Sequence, residues 1–455
     1  MSNLHANHLP PLWSWQELSA GLTGRRVAGP DVYRVTIDSR QAQPGDLFLA
    51  LPGDPGNRFN PSHRSTVDGH DFVEAAAKKG AVGALVHKKV DTTNSKMALL
   101  KVKDTYDGLW TLGRMARSRL DGQIVAITGS NGKTTAKQFL TAALDAYAPP
   151  GSFNNHIGVP LALANAPENS TTGVFEVGTN HPGEIEPLAK MIKPDVAMVL
   201  NVHQAHIENF TSRSELKEEK ISIFNSLKCK DNSISEDNLG LEFGATFGET
   251  RQANARVKAL EGDCVYLSLY GRMLTACVPG GGIHRAKTVA ATVLACHILD
   301  RDLTPACQLS NDLIPAGRGN IRRVNQVTVI DDSYNANPQS MRAGLSSLLT
   351  APANVRVAVI GEMLELGSQG DQAHLELAPL LESVDHVICV GAGTHGLAKH
   401  LEQPWFPKAS EDLTSYLIDL CKDETTVFIK GSNRIFWANQ FVDTFLSTLD
   451  SMSSK

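Results

Sequence analysis

The chain is poor in cysteine and spends what it has without pattern. Cys229, Cys264, Cys277, Cys296, Cys307, Cys389 and Cys421 form no CxxC pair and no regular ladder. Seven is an odd number, so a disulfide framework and a zinc site are both excluded in favour of scattered free thiols in a reducing cytosol. Long hydrophobic runs are missing too. ATVLACHIL is among the more apolar stretches and falls far short of the roughly 20 residues that span a bilayer. The opening MSNLHANHLPPLW lacks the basic start and apolar stretch of a secretory signal, so a cytoplasmic protein is expected. Nor does one sign of charge dominate. With 43 Lys+Arg against 48 Asp+Glu, the formal charge of −5 excludes wholesale binding to nucleic acid or to an anionic membrane, while leaving room for local basic pockets. No internal repeat is evident.

What is present is length and alternation. At roughly 150 residues per domain, 455 residues suggest about three domains, each able to bury its own core. Up to about residue 105, short apolar strands (GDLFLAL, AVGALVH, MALLKVK) mix with Gly/Pro/Asn-rich turns, and PGDPGNRFNPSHRSTVDG reads as one long loop. A helix follows, with Leu109, Leu112, Met115, Ala116 and Leu120 on one face. From about 122 the pattern becomes β-α-β: QIVAI, then the helical TTAKQFLTAALDAY, then GVFEVG and DVAMVLNV. The last third repeats it with QVTVID, VRVAVIG, DHVICVG and TTVFIKG. The fold class is therefore α/β with three domains. The divisions expected are 1–107, 108–316 and 317–455, the second and third being parallel-sheet domains. The polar stretch 228–250 carries no assignable pattern.

The sharpest local signal is Thr128-Gly129-Ser130-Asn131-Gly132-Lys133-Thr134-Thr135, set between a strand and a helix. Small residues there let backbone N–H groups close around phosphate oxygens, and the helix N-terminus adds its positive end. Lys133 reaches the outer phosphates and Thr134 can ligate Mg²⁺. An ordinary glycine-bearing turn is the alternative. The general GxxxxGK[ST] pattern is incomplete, because Ile127 stands where its first glycine belongs.

The GxxGKTT spacing resembles the Mur ligases and their folylpolyglutamate-synthase relatives, and the resemblance runs over most of the chain. Asp38-Ser39-Arg40, Pro44-Gly45-Asp46-Leu47-Phe48 and Asp68-Gly69-His70-Asp71-Phe72 are similar to the family's uridine-nucleotide-binding domain. Phe153-Asn154-Asn155-His156-Ile157-Gly158-Val159-Pro160, the Glu176–Ile185 segment (EVGTNHPGEI) and Asp331-Asp332-Ser333-Tyr334-Asn335-Ala336-Asn337-Pro338 extend it. The resemblance implies a central P-loop ATPase domain and a C-terminal Rossmann-like domain closing over ATP. It implies an ATP-dependent amide ligase that activates the carboxylate of UDP-MurNAc-tripeptide as an acyl phosphate, which the amine of D-alanyl-D-alanine then attacks. A monomer in the bacterial cytoplasm suffices for that scheme.

The same resemblance implies the roles of residues. Gly129, Ser130, Asn131, Gly132, Lys133, Thr134, Thr135, Asn155, Arg318, Asp332 and Asn335 would bind ATP. Asp38, Ser39, Arg40, Tyr334 and Asn337 would bind substrate, and Lys430-Gly431-Ser432 would touch it. Lys133, Glu176, His206 and Lys220 would be catalytic, with two Mg²⁺ ions on Thr134, Glu176, His206 and a carbamylated Lys220. Without the family each has a plainer reading. Lys220, among the glutamates of SELKEEKISIF, would be a solvated helix face. His206 would be a hydrogen-bonded structural histidine with His203 as its neighbouring competitor, Arg318 a hinge residue, and the Asn-Pro run a turn.

The chain departs from the family at His284-Arg285-Ala286-Lys287-Thr288, where relatives carry His-Asn and a second Asn that contacts adenine. Asn433 also interrupts the usual Lys-Gly-Ser-Arg order. A sibling ligase adding a diamino acid to UDP-MurNAc-dipeptide is the nearest rival, yet its Asp-Asn-Pro-Arg string is absent. A folate-polyglutamating enzyme would have no use for the first domain. A non-catalytic nucleotide-binding paralogue is the alternative from another class.

Overall fold

The computed structural model describes residues 10–56, 65–92, 97–203, 209–351, 353–421 and 424–453. Its strands form three sheets of four, eight and six strands. The chain divides into two compact units: the described residues of Met1–Thr128, Asp145–Met198 and Ile221–Lys230, and those of Gly129–Leu144, Val199–Lys220 and Asp231–Lys455.

In the first unit, β1 (Arg34–Thr36), β2 (Asp46–Leu49), β3 (Gly83–Val86) and β4 (Ala98–Lys101) lie side by side, all parallel. β2 and β3 are buried along their whole length, which is why GDLFLAL and AVGALVH read as unbroken apolar runs rather than alternating ones. The Thr105–Arg119 helix follows, capped by Asp104 Oδ1 accepting from the Asp107 N–H, with Leu109, Leu112 and Ala116 buried as the periodicity requires. Then β5 (Gln123–Thr128) pairs in parallel with β6 (Thr172–Glu176), setting Ile127 opposite Glu176. β7 (Val196–Val199) is buried throughout.

The second unit carries β8 (Ser233–Glu236), β9 (Ala245–Gly248), β10 (Ala255–Glu261), β11 (Cys264–Leu269) and β12 (Arg272–Cys277). Their pairings are mixed and not purely parallel. β10, β11 and β12 form an antiparallel meander. The unassigned 228–250 stretch supplies β8 and β9 between short turns, too short to leave a periodic trace.

The third sheet runs β13 (Asn320–Val324), β14 (Val327–Asp332), β18 (Thr425–Lys430), β15 (Val355–Gly361), β16 (His386–Val390), β17 (Trp405–Phe406). β13 is antiparallel to β14, and the remaining pairings are parallel. Both faces are covered. Ala358, Ile360, Val387 and Cys389 pack with Met341, Leu345 and Leu377 on one side. Val357, Val359, Ile388 and Val390 pack with Leu413, Phe441 and Phe445 on the other. Adjacent residues of one strand thus belong to different cores, the arrangement expected of a sheet covered by helices on both faces.

Candidate active site

The Thr128–Thr135 segment joins β5 to a helix. The Lys133–Leu144 helix begins immediately after Gly132, which has φ of +81°, a conformation that side chains other than glycine's resist. Gly129 lies where an added Cβ would stand 3.0 Å from the Leu200 Cβ, so the loop can approach the Leu200–Asn201 segment only without a side chain. That segment straps the loop. The Ser130 N–H donates to the Asn201 carbonyl at 3.1 Å, and the Asn131 N–H to Asn201 Oδ1 at 2.9 Å. Ser130 Oγ donates to the His203 carbonyl at 3.0 Å and accepts from the His203 N–H at 2.9 Å. Lys133 Nζ curls over its own loop onto the Gly129 carbonyl at 2.6 Å, while Thr134 and Thr135 are buried in the first helical turn.

Lys220 is not on a solvated face. It lies in the Arg213–Ile221 helix, four residues after Leu216, and both are buried, Lys220 at 3% exposure. Helical spacing puts Leu216 and Lys220 on one inward stripe, while the acidic residues that dominate the local sequence obscure that stripe. Burial first, and then the charge of Lys133, push the ammonium down to about 7, with Glu219 acting against them. Burial first, and then the charges of Arg213, Lys287 and Lys220, push the His203 imidazole below its ordinary range. His206 lies outside the described residues. Lys133 and a lysine stripped of its preference for charge thus act on one another.

Three Mur ligase descriptions match the chain: "Mur ligase family, catalytic domain" at 31–107, "Mur ligase middle domain" at 127–257 and "Mur ligase, glutamate ligase domain" at 317–433. The UDP-N-acetylmuramoyl-tripeptide–D-alanyl-D-alanine ligase of Rickettsia prowazekii is 32% identical over 452 residues, covering 93% of this chain and 98% of that protein. The chain belongs to the Mur ligase family. The enzyme of the same name from Escherichia coli is 29% identical, covering 88% of this chain and 90% of its own. Among solved structures, MurF from Acinetobacter baumannii superposes with a TM-score of 0.80 at 27% identity, covering 96% of this chain and 99% of that one. MurF from Thermotoga maritima, in complex with ADP, gives 0.75 at 26% identity, covering 92% and 98%.

In this Mur ligase the C-terminal candidates hold one another. The Arg318 guanidinium lies over the Tyr334 ring at 4.1 Å, and that ring packs edge-on against Trp437 at 5.3 Å. The Tyr334 N–H donates to the Gly317 carbonyl at 2.9 Å, fixing the turn that carries Arg318. Lys430, buried at the end of β18, donates to Asp332 Oδ2 at 2.7 Å and to the Asn335 carbonyl at 2.9 Å. It braces the Asp332–Asn335 turn in this structure rather than reaching outward. Asn337 caps the Pro338–Thr350 helix, its Oδ1 accepting from the Ser340 N–H at 2.9 Å. Its amide also pairs reciprocally with Asn131 of the phosphate loop, at 2.6 and 3.3 Å.

Glu176 ends β6, buried, and its Oε2 accepts from Ser152 Oγ at 3.1 Å. Asn155 is exposed, and its Oδ1 accepts from the Ile157 and Gly158 N–H groups, at 3.1 and 2.8 Å, where the Gly158–Ala164 helix begins. Asp38 caps the short Ser39–Gln41 turn and takes a two-pronged contact from Arg40, both bonds 2.9 Å, which holds its carboxyl below the ordinary range. Arg40 is otherwise exposed, and Ser39 is buried. Hard oxygen donors suit magnesium, and the Thr134 hydroxyl and the Glu176 carboxylate are of that kind. Among the described residues no group of three or more His, Cys, Asp or Glu side chains is preformed for a metal.

Sequence reasoning did not find Asn201, or Tyr334 as the seat of Arg318, and it treated Arg285 only as a departure. Arg285 is buried and bonded to four carbonyls. The Gly280-Gly281-Gly282 run and the glycines flanking Arg318 were the available signal, because clustered glycines mark a close approach.

Proposed function

We propose that this chain is an ATP-dependent, ADP-forming ligase that joins D-alanyl-D-alanine to UDP-MurNAc-tripeptide. The observation that carries this is the kinship to ligases of that name, 32% identical over 93% of this chain. In the first step an oxygen of the tripeptide carboxylate attacks the γ-phosphorus of ATP and ADP departs. In the second, the dipeptide's amine attacks the acyl carbon, a proton leaves the nitrogen, and the C–O bond to phosphate breaks.

The first step brings anions together, at roughly 4 kcal/mol per unit-charge pair at 4 Å and an effective dielectric of 20. Positioned cations are therefore the main catalytic need. Lys133 and the loop N–H groups other than those of Ser130 and Asn131, which donate to Asn201, would hold the outer phosphate oxygens, and Arg318, seated on Tyr334, would add a second cation. Magnesium, when bound, screens the charge that develops on those oxygens. Thr134, Glu176 and Lys220 as a carbamate would supply its oxygen ligands, and His206 is assigned with them by resemblance. Two ions are the number that the resemblance implies.

The carbamate reading is supported by burial. A neutral Lys220 amine can attack CO₂, forming an N–C bond and releasing a proton, and a lysine near 7 is neutral often enough to do so. Asp38, Ser39 and Arg40 are proposed for the uridine nucleotide, with Arg40 exchanging Asp38 for a diphosphate, and Tyr334 and Asn337 for the peptide side. The division at 1–107, 108–316 and 317–455 is proposed with them, and family matches at 31–107, 127–257 and 317–433 support it. The scheme needs one chain and no membrane, and among the described residues no helix is long and apolar enough to cross one. The test is ADP release against a panel of precursors. Release that requires both UDP-MurNAc-tripeptide and D-alanyl-D-alanine is expected. Release driven by UDP-MurNAc-dipeptide with a diamino acid would transfer the chain to the sibling activity.

A further inference from the structure

Arg285 occupies an unusual electrostatic position. It lies in the first turn of the Ile283–Ile298 helix, where the backbone already presents its positive end, and its side chain is buried. A cation there is doubly disfavoured. What offsets this is a receptacle of carbonyls. One terminal nitrogen, Nη1, donates to the Gly280 carbonyl at 2.8 Å and lies 3.4 Å from that of Gly281. The other, Nη2, donates to the carbonyls of Arg318 and Gly319, both at 3.1 Å.

The receptacle is shaped for a guanidinium. An added Cβ at Gly319 would lie 2.2 Å from Nη2, and one at Gly280 would lie 2.6 Å from Nη1. Both glycines have left-handed backbones, φ +79° and +68°. The planar two-pronged head is what lets one side chain join two separate pairs of carbonyls, and a lysine ammonium could not span them.

We propose that Arg285 is a positioning residue for the ligase reaction: it pins the Arg318–Gly319 backbone so that the Arg318 guanidinium, laid on Tyr334, is aimed at the ATP phosphates. This rests on the reading of Arg318 as a phosphate contact. The head group is committed to backbone carbonyls on both sides.

A double-mutant cycle on the full-length protein tests this, following ADP release with both other substrates saturating. Arg285→Gln should raise the ATP KM about tenfold, the loss expected when bonds from a charged group are removed, and leave the KM for D-alanyl-D-alanine unchanged. Arg318→Gln should raise the ATP KM at least as much, and the double variant should be no worse than Arg318→Gln alone. Multiplying effects, or an unchanged ATP KM in Arg285→Gln, would overturn the proposal. An unchanged ATP KM in Arg318→Gln, with a raised one in Arg285→Gln, would remove the phosphate role of Arg318 itself and the proposal with it. Where Arg285→Gln does not fold, Arg285→Lys replaces it. The same rise is expected there, and a wild-type ATP KM in that variant refutes the pinning role.

Discussion

Replacing Lys220 by methionine should make the protein more stable and inactive at once. The ammonium is brought from an ordinary 10.5 down to about 7, mainly by burial and then by Lys133. At ~1.4 kcal/mol for each tenfold step, keeping that lysine in place costs on the order of 4–5 kcal/mol near neutrality. Methionine preserves most of the buried stem and removes the charge, so the larger part of this cost is recovered, a rise of a few degrees in thermal midpoint. The pH dependence has a definite sign. The unfolded chain holds this proton up to about 10.5 and the folded chain only up to about 7. Below 7 the penalty is complete, between 7 and 10.5 rising pH returns stability to the wild type, and above that range the methionine advantage is gone. Turnover should meanwhile fall by about 10²–10³-fold or more, the scale for losing a positioned electrostatic group. The assay pairs calorimetry in CO₂-depleted buffer across this range with ADP release. In Lys220→Ala, acetate or propionate should restore part of the rate. Near-normal turnover in either variant, or a destabilised methionine variant at pH 7, would refute the reasoning.

Lys133→Met should lower turnover by about 10²-fold or more and weaken ATP binding, read by ADP release and by nucleotide titration. Gly132→Ala forces a side chain onto a left-handed backbone at roughly 1–2 kcal/mol and should raise the ATP KM without altering uridine-nucleotide affinity. Asn337→Ala removes both a helix cap and the amide pair with Asn131, so it should cost about 1–2 kcal/mol more than Asn131→Ala costs alone, measured as the difference in thermal midpoint.

The sequence made the parallel strands easy to locate, because β5, β15 and β18 are buried on both faces and read as continuous apolar runs. The meander of β10–β12 left little trace. Its outer strand, Arg272–Cys277, is mostly exposed, so no apolar period marks it. Within the site, the glycines were legible because the turn after β5 needs a left-handed backbone at Gly132 and a close approach at Gly129. Lys220 was legible only through resemblance, since its buried stripe of Leu216 and Lys220 is swamped by neighbouring charges. Arg285 was visible only as a missing asparagine. Its partners are carbonyl oxygens, which every residue carries, so no side-chain pattern could advertise them.

The alternating linings of the C-terminal sheet have a bearing on how such a chain can drift over time. Val357 and Ala358 are neighbours along β15, yet each is heard by a different set of helices. The Pro338–Thr350 helix, which carries Asn337 at its head, is seated through Met341, Leu345 and Leu348 on one of these linings. Substitutions accumulating on the opposite lining, among Val357, Val359 and Phe445, therefore alter layers that do not seat it. A change on that lining removes no contact that seats the helix carrying Asn337.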